Sequence, residues 1–168
     1  VLVIANLGDS RAYLMRHGYL ERLTADHNVA EMLFQAGHIS RRQRHRHPSR
    51  HLLTRHIGME DCPAADVALL SLRPGDRILL CTDGLTGMLK DREIGTILWE
   101  TEEREAACQF LLDRANEAGG SDNITAVIVD VDEPRSRLGR RRRKVVVRRT
   151  VGRSLSRPKF EPERDADL

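Results

Sequence analysis

Apolar and polar positions alternate along this chain in short runs of two distinct periods. Residues 1–6 form an almost unbroken apolar run, which predicts a strand buried on both faces. Leu7-Gly8-Asp9-Ser10 breaks the run. Residues 11–16 then alternate, with Ala12 and Leu14 set against Tyr13 and Met15, as in a second strand. His17-Gly18 predicts a tight hairpin turn into a third strand over 19–23. The three segments are expected to pair as one antiparallel unit.

The period then lengthens. Asn28 is placed to cap a helix through Val29, Met32, Leu33 and Ala36 that stops at Gly37. Residues 38–51 are polar and crowded with Arg and His, a short helix and loop on the surface. Residues 66–72 read as a strand and Arg73-Pro74-Gly75-Asp76 as a turn. Residues 77–82 form a buried strand ending at Asp83-Gly84. Asp91 is expected to cap a helix through Ile94, Ile97 and Leu98. Thr101 is expected to cap a longer one burying Ala106, Ala107, Phe110, Leu111 and Ala115, closed by Gly119-Gly120. Residues 123–131, rich in β-branched side chains, form the last strand. Beyond Pro134 the pattern collapses. Val145-Val146-Val147 is too short for a core element by itself, and 134–168 is expected to be a basic, disordered tail.

Composition sharpens this division. Residues 134–168 hold 13 basic and 4 acidic side chains, a net of +9, which leaves 15 basic and 21 acidic, a net of −6, for residues 1–133. An acidic body therefore carries a basic tail. Aromatic residues make up only 4%, so the core must be built from Val, Ile, Leu and Ala. Cys62, Cys81 and Cys108 are odd in number and show no CxxC spacing, which argues against a disulfide framework and for a reducing compartment, the cytoplasm. No apolar run reaches the length of a membrane span. Val1 already lies inside an apolar run, so the chain is expected to begin within a domain.

Three aspartates share a local setting. Asp9 follows an apolar run and a Gly, Asp83 ends an apolar strand before a Gly, and Asp122 follows Gly119-Gly120-Ser121 and opens one. Carboxylates held at strand ends suit a hard cation such as Mg²⁺ or Mn²⁺. Taken singly, each is an ordinary turn. Their neighbours say more. Asn6-Leu7-Gly8-Asp9-Ser10-Arg11, Leu23-Thr24-Ala25-Asp26-His27, the stretch Pro74-Gly75-Asp76-Arg77 through Cys81-Thr82-Asp83-Gly84-Leu85, and Gly119-Gly120-Ser121-Asp122-Asn123-Ile124-Thr125 follow one another in that order. Together they resemble the metal-dependent protein serine/threonine phosphatases of type 2C, in their bacterial style, over about residues 1–132.

The resemblance implies an α+β fold, a four-layer αββα sandwich of two antiparallel sheets flanked by helices, with metals in a cleft at one end. It implies that Asp83 and Asp122 bind the first metal, and that Asp9 with Asp83 holds a third, weaker one. It implies Mn²⁺ or Mg²⁺ as cofactor, phosphorylated Ser/Thr proteins as partners, and water activated by the cations as the attacking group, with no side-chain nucleophile. Residues 28–50 match the variable flap beside the cleft. His27 is expected to make a structural hydrogen bond, with a catalytic acid role second. The departures are equally specific. No Asp-Gly-x-Gly-Gly motif, which supplies the aspartate bridging the two principal metals, occurs in these 168 residues. The sandwich is therefore expected to be incomplete at its N-terminal part, and this chain alone inactive. A catalytically dead binding or regulatory module is the alternative. The sporulation and stress-response branch of such phosphatases is a third reading, and the flap argues against it.

Two other features have plain readings. His45, His47, His51 and His56 are read as part of a solvated flap, not a zinc site. The Arg140–Lys144 run is read as a soluble tether, with an anionic partner as its alternative.

Overall fold

The computed structural model describes residues 1–61 and 63–132, and the backbone of 146–154. Its strands are β1 (Leu2–Asn6), β2 (Arg11–Arg16), β3 (Tyr19–Arg22), β4 (Asp66–Leu70), β5 (Arg77–Cys81), β6 (Ile124–Asp132) and β7 (Val146–Ser154). Its α-helices are α1 (Val29–Gln35), α2 (Arg41–Arg44), α3 (Asp83–Thr86), α4 (Asp91–Glu100) and α5 (Arg104–Glu117), with a 3-10 turn at Pro48–His51. The larger sheet runs in the order β3-β2-β5-β6-β7, every neighbouring pair antiparallel. The smaller sheet pairs β1 with β4, also antiparallel.

Alternation in β2, β5 and β6 gives the larger sheet two apolar faces. Tyr13, Met15, Leu79, Cys81, Ala126 and Ile128 point to one side, where Leu85, Ile94, Leu98, Ala107, Cys108 and Leu111 of α3, α4 and α5 meet them. Leu14, Ile78 and Val131 point to the other, where Leu2 and Leu70 of the smaller sheet cover them. Each large side chain buried this way contributes about 1.5–3 kcal/mol. This is the expected pair of packed sheets. The described residues supply helices to the outside of one sheet only.

The local elements are read well from the sequence, but their pairing is not. His17 and Gly18 both adopt positive φ, 51° and 80°, as a two-residue hairpin turn requires. Gly75 at φ 86° completes the turn before β5. Yet β1 does not join β2 and β3. It crosses to the other sheet, because the turn at Gly8, with φ 106°, redirects the chain between layers. Nor is β1 buried on both faces: Ile4 is buried, while Val3 is 60% exposed. The outer face of the small sheet continues with Val67 and Leu69, 65% and 73% exposed, with Val3 directly opposite Leu69.

Three further expectations are corrected. The helix predicted to be capped by Thr101 starts at Arg104 with Glu103 at its cap, and Thr101 instead closes α4. On that helix Ala107, Leu111 and Ala115 are buried as expected, but Cys108 and Leu112 are buried beside them and Phe110 is 53% exposed, because the buried stripe is centred further round the helix. The disordered tail includes a strand: β7 pairs with β6 along its whole length, from Ile124 opposite Ser154 to Asp132 opposite Val146. A free edge of β6 offers unpaired N–H and C=O groups, and Val146, Val147, Thr150 and Val151 have the β-branched side chains that suit an added strand. The remainder of 134–168, with the Arg140–Lys144 run, and Cys62 lie outside the described residues. Among the described residues no helix is long and apolar enough to cross a membrane.

The bare outer face of β1 and β4 predicts self-association. Replacing Val67 and Leu69 with lysine is expected to shift sedimentation towards monomer while moving Tm by no more than about 2 °C, as exposed positions do. A wild-type chain already monomeric at the same concentration would contradict this.

Candidate functional site

Asp9 stands where the chain passes from one sheet to the other, and the turn that carries it is clamped by a buried histidine. The Gly8 N–H donates to His27 Nδ1 at 3.1 Å, and the His27 N–H donates back to the Gly8 carbonyl at 2.9 Å. With Nδ1 accepting, the ring proton sits on Nε2, which meets Asp66 Oδ2 at 3.0 Å. Arg55 holds the other Asp66 oxygen at 2.8 Å. Arg55 first, and His27 second, draw the Asp66 carboxyl down to about 2. His27 thus has the structural hydrogen bond expected of it: it positions the Gly8-Asp9 turn.

Asp83 begins α3, a short helix that follows β5 directly and that the sequence pattern did not reveal. Thr82 locks this end of β5 to the start of β6. Its N–H donates to the Thr125 carbonyl at 3.1 Å, and its Oγ1 accepts from the Thr125 N–H at 3.0 Å and reaches the Asn123 carbonyl at 3.3 Å. Gly84 is then pressed against the Asp122-Asn123 backbone. A Cβ built on it would lie 2.3 Å from the Asn123 carbonyl oxygen and 3.5 Å from the Asp122 Cβ. The glycine is required there by close approach, not by its φ. Asp122 is exposed, and its Oδ1 accepts from the Asn123 N–H at 2.7 Å.

Asp9 and Asp83 line one open cavity of about 530 Å³, walled by the flap and by the start of α4. The Asp9 carboxyl is pushed above its usual range, first by burial and next by the negative charge of Asp83. Two carboxylates that repel one another across a cleft form an oxygen donor set that a hard divalent cation would relieve. Asp9 and Asp83 fit that chemistry. The set is incomplete, however. Asp122 lies beside Gly84 and not in the cavity lining, and among the described residues no three His, Cys, Asp or Glu side chains converge closely enough to hold a metal. The cysteines take no part: burial pushes the Cys81 thiol up to about 12, and the Cys108 thiol donates to the Ala126 carbonyl.

An ion network joins the cavity floor to the flap. Arg11 grips buried Asp26 with two nitrogens, at 2.9 and 2.7 Å, and Arg22 donates to the same carboxylate. Arg44 grips buried Glu31 at 2.7 and 3.0 Å and lies 4.8 Å from the Phe34 ring centroid. Arg22 lies between the two acids, 3.8 Å from Glu31. From Arg11 the chain of contacts continues through the Tyr13 hydroxyl to Asp91 at the start of α4. The motifs pointed to Arg11 and Asp26, but Glu31 and Arg44 carried no signal. Their pairing spans thirteen residues and depends on how α1 and α2 fold back. Of the flap histidines, His47 accepts the Ser49 N–H to cap the 3-10 turn.

Comparison with known proteins gives a consistent result. Residues 7–132, flap included, match the family described as stage II sporulation protein E (SpoIIE). The chain is 37% identical over 131 residues to the serine/threonine phosphatase stp of Listeria monocytogenes, covering 78% of this chain and 52% of that protein. Among solved structures it is similar to the Ser-Thr phosphatase MsPP of Mycobacterium smegmatis in complex with cacodylate. That match has 40% identity and a TM-score of 0.70, and covers 76% of this chain and 55% of the other. The catalytic domain of the phosphatase PstP in complex with two manganese ions is 31% identical with a TM-score of 0.69, over 78% and 54%. The chain therefore spans about half the length of the relatives it matches.

Gly84→Ala is expected to lower stability by about 1–3 kcal/mol, because the new methyl must displace the Asn123 carbonyl; urea denaturation checks this. Acid titration offers a second test. The Asp66 carboxyl titrates lower in the folded chain than its ordinary 3.8, so its stabilisation is complete above that pH and is lost as pH falls towards 2. Asp66→Asn should flatten that part of the plot of Tm against pH.

Proposed function

Because the chain belongs to the type 2C serine/threonine phosphatase family, we propose that its cleft serves metal-dependent hydrolysis of phosphoserine and phosphothreonine in proteins. The observation that carries this reading is the pair of repelling carboxylates, Asp9 and Asp83, facing one open cavity inside the matched segment. In this reading Asp83 and Asp122 hold the first cation, and Asp9 with Asp83 holds a third, weaker one, as Mn²⁺ or Mg²⁺. Bound there, such cations would supply an activated water and offset charge on the phosphoryl oxygens.

The residues of this chain have supporting tasks. Thr82 and Gly84 bring the Asp83 and Asp122 segments into register. His27 fixes the turn that presents Asp9. The flap network keeps α1 and α2 beside the cavity, so that a phosphorylated side chain would enter under the flap. Neither buried cysteine supplies a nucleophile.

A complete site needs more donors than these residues bring together. We therefore read the 168-residue chain as inactive alone. Two assays of p-nitrophenyl phosphate turnover with Mn²⁺ test both parts. The isolated chain should not exceed the Mn²⁺ blank, and turnover lost in Asp83→Asn would show that its site is complete. Joined to a segment carrying the Asp-Gly-x-Gly-Gly motif, it should gain activity that Asp83→Asn lowers by about a hundredfold or more. A folded but inactive joined protein would favour the binding-module alternative.

A further inference from the structure

The cavity above Asp9 and Asp83 has a second population of charges that the hydrolytic reading leaves unused. Arg42, Arg46, Arg50, Lys90 and Arg92 all line it and all are exposed. Arg11 and Arg44, which also line it, are consumed by Asp26 and Glu31. No ion pair among the described residues engages any of the first five. An unpaired cation on a surface is ordinary. Five of them on the walls of one cleft, contributed by two separate segments, the flap and the start of α4, form a directed positive surface.

We propose that this cationic wall selects phosphorylated segments with acidic residues beside the phosphorylated Ser or Thr. The proposal deepens the phosphatase reading and rests on it. The wall stands on fixed supports. On the flap side, α2 is pinned by Arg44 to Glu31 and packed on Phe34, and Ser40 and Gln43 close its first turn with reciprocal hydrogen bonds. Lys90 and Arg92 flank Asp91, which the Tyr13 hydroxyl holds at 2.9 Å. The cations are thus presented at set places around the cavity. Flanking acidic side chains would meet them while the phosphorylated residue enters towards the carboxylate floor.

The floor also decides the class of partner. Asp9 and Asp83 would repel the continuous phosphate backbone of a nucleic acid, and among the described residues no Phe, Tyr or Trp lines the cavity to stack a base. A peptide places negative charge only where its sequence does, so it can satisfy the wall and avoid the floor.

The test is fluorescence anisotropy of the 168-residue chain with Mn²⁺. Two labelled phosphothreonine peptides are compared, identical except for Glu or Gln at the flanking positions, together with a single-stranded RNA. Two or three exposed ion pairs should make the Glu peptide bind about tenfold tighter, a difference that shrinks as salt is raised. Arg42→Gln/Arg46→Gln/Arg50→Gln should abolish most of that preference with Tm unchanged, and Lys90→Gln/Arg92→Gln should reduce it independently if the first variant fails to fold. Equal affinities, no binding, a preference that survives both variants, or RNA binding as tight as the Glu peptide would each overturn the proposal. A parallel Mn²⁺ titration with Asp83→Asn as control separates the failures. Mn²⁺ bound through Asp83 with no flank preference removes only the cationic-wall assignment, whereas a folded joined protein that fails to turn over p-nitrophenyl phosphate removes the phosphatase reading with it.

Discussion

The strands β2, β5 and β6 are apolar on both faces, and both faces must be kept from water. Tyr13 and Leu14, or Ile78 and Leu79, are neighbours in sequence and are nearly inaccessible on opposite sides of the sheet. That double requirement calls for two covering layers. The helices α3, α4 and α5 supply one, and β1 with β4 supplies the other. The smaller sheet is a cover with a bare back, since its own alternation leaves Val3, Val67 and Leu69 facing outwards. Two strands are a narrow cover as well. A second, mainly apolar cavity opens between Ile4, Ala12, Leu80 and Val127, where the smaller sheet does not reach across the larger one.

The functional end of the molecule follows from where those layers meet. The Gly8 turn passes between the sheets at the same edge at which β5 ends in Thr82 and β6 begins beside Asn123. The sandwich itself therefore brings Asp9 and Asp83 to one cleft and leaves Asp122 beside it. Burial then sets their chemistry. Removing Asp26 and Glu31 from water is costly unless they are paired, and Arg11, Arg22 and Arg44 meet that need while tying the flap to β2 and β3. Asp9 has no such ion pair among the described residues, and its charge is disfavoured. A group in that condition is a natural partner for a cation, and the cationic residues left over on the flap face outwards into the same cleft.

Much of this was legible in one dimension. Alternation placed β2 and β5, and Asn28 indeed caps α1, its side chain accepting the Glu31 N–H at 2.8 Å. Gly75 and His17-Gly18 marked their turns because positive φ leaves a compositional trace. The ordered motifs pointed to Asp9, Asp83 and Asp122 because the residues around a strand end are constrained locally, by turns and close backbone contacts such as that at Gly84.

What the sequence alone determined, then, was the set of local periods, the turns and the identity of the motifs, all of which arise from interactions within a few residues. Only the tertiary structure decided that β1 pairs with β4 and not with β2, that β7 lines the edge of β6, and that Phe110 faces solvent. It alone decided that Asp9 and Asp83 share a cleft while Asp122 stands beside it, and that Arg44 is consumed by Glu31 while Arg42 and Arg46 are not. Those outcomes depend on which distant surfaces meet and exclude water, and no short window of residues records that choice.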